Sequence, residues 1–100
     1  MLFREVINLI TIVKTKNSVG SWTEVETPKQ VYADKKSIRQ NEFYQAQSTG
    51  LRPELMFIVR SSEYSGETRL SFDNKKYEII RTYDKDNEFT ELICQGLVGD

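Results

Sequence analysis

The chain has 100 residues, 38% hydrophobic and 29% charged, with a formal net charge of −1. That is the size of one domain with a modest core, hiding roughly two thirds of its unfolded surface, and the near-neutral balance gives no pull towards nucleic acid or an anionic membrane. Zero histidines and one cysteine, Cys94, exclude an intrachain disulfide and remove the commonest general base and metal ligand, so the expectation is a reducing compartment, no metal, no cofactor and no enzymatic activity.

The longest apolar run, "VINLITIV" from Val6 to Val13, is too short to span a bilayer. Arg4 and Glu5 precede it and no small-residue cleavage site follows, so it reads as a strand rather than a signal peptide. The strand is expected over about Ile7 to Lys14. Ile7, Leu9, Thr11 and Val13 share one face, and Asn8, Ile10 and Ile12 the other. Both faces are largely apolar, which predicts cover on both sides. "KNSVGS" is a turn. "WTEVET" (Trp22 to Thr27) alternates as a strand with Trp22, and with it Val25, directed to the core. Pro28 is expected to interrupt pairing, and "QVYAD" to resume an extended segment.

The central stretch "SIRQNEFYQAQSTGLRPE" runs from Ser37 to Glu54. Ser37 and Gln40 form an S-x-x-Q capping box, which predicts a helix starting at Ile38. Gly50 supplies a left-handed stop and Pro53 prevents continuation. No face of this helix repeats apolar residues along its full length. It reads as a surface plug at one barrel end, or as a segment that completes its packing only in an assembly.

Downstream, "LMFIVRS" is strongly β-prone, and "SSEYSGE" turns the chain with Gly66 as the positive-φ residue. "TRLSF" alternates, placing Leu70 and Phe72 inward. "DNK" is a hairpin signal before "KYEIIRTY". A turn at Asp84 to Asn87 precedes the last strand, "FTELICQ", and the tail from Gly96 to Asp100 is expected to fray. The predicted fold is mainly β: one domain over residues 1–100, a small antiparallel barrel or sandwich of about six strands. A short helix or long loop is inserted at about 37–53, within a flexible segment 35–54. Its predicted core is Leu9, Phe57, Leu70, Phe72, Ile79 and Leu92. Cys94 should be a buried, inert thiol, with no histidine to activate it.

The ordered set of Ser37, Glu42, Phe43, Tyr44 and Ala46, the Phe57 strand, Leu70 to Phe72, then Tyr77 and Ile79, resembles the head–tail adaptor, or head-closure, family of tailed bacteriophages. The first strand, the glycine-containing turn, Trp22–Thr23 and "VYAD" fit the same pattern, so the resemblance covers about Ile7 to Gln95. It implies a structural protein of the virion neck, phage or prophage encoded and made in the bacterial cytoplasm. Such proteins form a ring, commonly a dodecamer, on the portal-bound connector (adaptor) protein. They meet tail-completion or tail proteins, and a long loop closes the channel over packaged DNA.

On that implication the channel-loop and subunit-interface residues are Lys35, Lys36, Arg39, Glu42, Phe43, Tyr44, Gln45, Gln47 and Arg52. Four of these are basic in an acidic chain, and a ring multiplies each charge. The acidic run "DKDNEFTE", from Asp84 to Glu91, is a solvated turn or faces a basic patch on a neighbour. The competing reading is a small barrel binding single-stranded nucleic acid, with Tyr32, Phe43 and Tyr44 stacking on bases.

Overall fold

Six strands account for most of the computed structural model, which describes residues 3–38 and 50–97. They are β1 (Glu5–Lys16), β2 (Trp22–Lys36), β3 (Leu55–Arg60), β4 (Arg69–Phe72), β5 (Lys75–Lys85) and β6 (Phe89–Gly96), with one 3-10 turn at Ser61–Glu63. All neighbours pair antiparallel. The order β1-β2-β3-β6-β5-β4 closes into a barrel, as the run of short strands predicts. Closure pairs both sides of a strand wherever the wall is complete.

Period-two alternation turns Ile7, Leu9, Phe57, Val59, Leu70 and Leu92 into the barrel. Leu9, Phe57, Leu70 and Leu92 are fully buried, while Phe72 and Ile79 pack half-buried against them. The Phe57 and Phe72 rings meet edge-on with centroids 5.1 Å apart. On the opposite face of β3 and β6, Met56, Ile58 and Ile93 are buried as well. These two strands are therefore apolar on both faces, which is why "LMFIV" reads as an unbroken hydrophobic run.

The tight turns follow from residues that tolerate positive φ. Asp73 and Asn74, at φ 53° and 64°, join β4 to β5, and Asp86 and Asn87, at 55° and 57°, join β5 to β6. The second turn is narrower than the expected Asp84–Asn87, because β5 continues to Lys85 and pairs there with Phe89. Gly66 supplies φ +87° as expected. At the far end of β6, Gly96 pairs with Tyr77 and the Leu97 amide donates to the Lys76 carbonyl.

The first hairpin departs from the sequence reading. β1 and β2 pair continuously from Glu5 opposite Ala33 to Lys16 opposite Trp22. However, β4 reaches β1 only at Asn8–Ile10, and β3 reaches β2 only at Asp34–Lys36. The distal half therefore leaves the barrel as a two-stranded arm, and the molecule extends 48 Å along its longest axis. Cover on both faces holds only around Ile7–Ile10. Val13 and Val25 are exposed, and Trp22, expected in the core, is 67% exposed. Alternation specifies a strand and its faces, but not whether a third element lies against them. Nor does Pro28 interrupt pairing: it sits opposite Ile10 within one continuous β2. No described strand flanks its outer side, which is where proline is tolerated.

Candidate functional site

Barrel closure brings separate cations to one end. Lys35 and Lys36 are the last residues of β2, opposite Phe57 and Met56. Lys35 Nζ lies 5.5 Å from the Phe72 ring centroid. Arg52 is exposed, and its backbone amide donates to Gln95 Oε1 at 3.0 Å. The Glu54 amide donates to the Cys94 carbonyl at 2.8 Å, and its carboxylate lies 3.3 Å from Lys75 Nζ. Lys75 in turn sits 5.2 Å from the Tyr77 ring.

The structure thus gathers Lys35, Lys36 and Arg52 and adds Lys75, which the sequence reading did not single out. Lys75 belongs to a hairpin remote in sequence, and only the β4–β5 turn and barrel closure carry it there. Four cations here face the three acids Asp34, Glu54 and Asp73, a formal balance of +1. Arg39, Glu42, Phe43, Tyr44, Gln45 and Gln47, and the helix expected from Ile38, lie outside the described residues.

The opposite end is acidic. Asp84, Asp86 and Glu88 surround the β5–β6 turn. The Ser61 amide donates to the Glu88 carbonyl at 2.9 Å, and the Ser61 hydroxyl donates to Asp84 Oδ1 at 3.3 Å. Glu91 is not part of the solvated run: its side chain is 3% exposed and pairs with Lys85 Nζ at 3.0 Å. A shallow groove of about 440 Å³ lies beside the turn, lined by Arg60, Ser62, Asn87, Glu88 and Phe89. Phe3 stacks on Phe89 at 5.8 Å, and the Arg60 guanidinium lies 5.2 Å from the Phe3 ring.

The arm is rooted at this acidic end. Lys29 Nζ lies 3.3 Å from Glu67 Oε2 and donates to the Glu63 carbonyl at 2.6 Å. Glu67 Oε1 accepts the Ser65 amide, and Tyr64 Oη donates to the Glu67 carbonyl. Burial, with the Glu67 carboxylate and Cys94 adding to it, pushes the Tyr64 phenol above its ordinary pKa. Lys76 holds Glu26 of the arm at 3.1 Å. Near the tip, Lys16 stands opposite Trp22 and Lys14 opposite Glu24, so all four share one face.

Cys94 is buried, its thiol pushed up to about 12 by burial. It is therefore protonated and unreactive near neutrality. Among the described residues no group of three His, Cys, Asp or Glu side chains could hold a metal ion, and no helix is long and apolar enough to cross a membrane.

The model of one protein family, described as phage head completion protein, matches residues 2–96. The chain belongs to the phage head completion protein family. That membership gives it a structural role at the phage head, in agreement with the resemblance read from the sequence. Among solved structures, the solution structure of a protein from Shigella flexneri 2a matches with a TM-score of 0.79 and 14% identity, covering 97% of this chain and 95% of that one. At that identity the likeness is one of fold. A comparison with curated proteins gives no match.

Proposed function

We propose that this chain joins the phage head to the tail as a ring of identical subunits and helps to close the DNA channel after packaging. Its partners on this reading are the portal-bound connector protein on one side and tail-completion or tail proteins on the other, with packaged DNA nearby. The barrel is the rigid body, and the work is mechanical rather than catalytic. One observation supports the channel role beyond family membership. Lys35, Lys36, Arg52 and Lys75 share one barrel end in a chain whose total charge is −1. A ring would repeat that end once per subunit and focus a positive field on a phosphate backbone passing its centre. Arg39, Glu42, Phe43, Tyr44, Gln45 and Gln47 are proposed contacts of the same ring.

The test is recruitment. Purified portal–connector complex is expected to capture the full chain in a fixed stoichiometry. DNA-filled heads are expected to retain their genome with the wild-type chain and to leak with the K35Q/K36Q/R52Q variant. Failure of the complex to recruit the chain, together with its absence from virions, would overturn the reading.

A further inference from the structure

We propose that the β1–β2 arm of one subunit docks on the β5–β6 turn of the next, with Trp22 seated in the groove beside Phe89. This deepens the ring reading and rests on it.

The arm carries what an interface anchor needs. Trp22 is the only tryptophan, and it stands 67% exposed on a continuously paired hairpin. Tryptophan is among the residues most enriched at binding hot spots. Trp22 is flanked on the same face by Lys14 and Lys16; Glu24 lies 4.0 Å from Lys14, and Glu26, nearer the root, is held by Lys76. The arm's root is fixed by the Lys29–Glu67 and Lys76–Glu26 pairs, so its direction is set before any partner arrives. Pro28 removes a donor from the exposed edge of β2, so recognition falls to side chains rather than to backbone strand addition.

The occupant follows from charge. The β5–β6 turn presents Asp84, Asp86 and Glu88, opposite in sign to the lysines of the arm. The groove beside it is lined by Phe89 and Arg60, each already against the Phe3 ring, so an indole seated there extends an existing aromatic and cation–π cluster. Both surfaces belong to one chain and are different from each other, so the contact is heterologous, the kind that builds rings when the rotation closes. Arm root and acidic turn also lie at the same barrel end.

Engineered thiols test this directly, since the only native cysteine is buried. The full-length Trp22→Cys and Glu88→Cys variants are oxidised separately, mixed, and combined in one chain. The expected result is a cross-linked dimer from the mixture, a ladder of oligomers from the double variant, and neither from a single variant alone. Dimers from Trp22→Cys alone, or a mixture that stays uncross-linked, would overturn the docking. A second arm uses Lys16→Glu, expected to weaken capture of the next subunit about tenfold, with Glu88→Lys in that subunit restoring it. If Trp22→Ala still formed a complete ring on the portal complex, the arm contact would fall and the ring would stand. If virions held no ring at all, the ring reading would fall.

Discussion

Lys29 Nζ lies 3.3 Å from Glu67 Oε2, in a pair where the glutamate side chain is 4% exposed and the lysine reaches out from the root of the arm. The carboxylate also accepts the Ser65 amide, so one buried charge ties the arm to the loop that follows β3. Removing the lysine would leave that charge buried beside a single donor. Because Lys29 itself is half-exposed, water would offset part of the loss. Lys29→Met is expected to lower stability by about 1–2 kcal/mol, read as a lower urea midpoint with an unchanged slope. Glu67→Gln should lose less, since the amide oxygen still accepts the Ser65 bond. A Lys29→Met midpoint equal to wild type would show that the pair contributes nothing.

The barrel interior offers a cleaner reading of packing. Leu92 is fully buried between Phe57 on β3 and Thr82 on β5. Leu92→Ala is expected to destabilise by about 2–5 kcal/mol, from lost transfer energy and the cavity left behind. Trp22→Ala, on the exposed arm, should change stability by no more than about 0.5 kcal/mol. Parallel denaturation curves check both, and a large loss from Trp22→Ala would mean that the arm packs on its own barrel.

Turn chemistry gives a third expectation. Asn74 sits at φ 64° between β4 and β5. A β-branched residue there pays the left-handed penalty in full, so Asn74→Val should lose about 1–2 kcal/mol, while Asn74→Gly should be neutral or better. Equal melting temperatures for the valine and glycine variants would contradict the turn assignment.

The pH dependence follows from Cys94. Its thiol is pushed from 9.0 up to about 12 in the folded chain. The sign is fixed by proton counting. Between those values the unfolded chain loses the thiol proton and the folded chain keeps it, so stability is fully present below pH 9 and falls as pH rises towards 12. Tyr64 is shifted in the same direction, by burial first. Stability measured from pH 8 upward should decline, and the decline should be shallower in Cys94→Ala. Identical slopes would remove the cysteine from the account.

How far the fold could be read from the sequence depended on where each strand finds its neighbours. Leu9, Phe57, Leu70 and Leu92 were legible because alternation and β-branched runs agree on an inward face. Turns at Gly66 and Asn74 were legible because few residues tolerate positive φ. Trp22, Val25 and Pro28 were not, because a strand with one neighbour has the same local pattern as a strand with two. At the basic end, Lys35, Lys36 and Arg52 flank the central stretch in sequence. Lys75 does not, and only barrel closure brings it alongside them. The acidic run was seen, but the burial of Glu91 against Lys85 depends on the β5–β6 register, which composition does not reveal.

Imaging the neck of virions that carry this chain by cryo-electron microscopy tests the central claim most directly. The account predicts one closed ring of barrels between connector and tail, with the end bearing Lys35, Lys36, Arg52 and Lys75 turned towards the channel. A neck that lacks the barrel, or a ring with that basic end turned away from the channel, would contradict it.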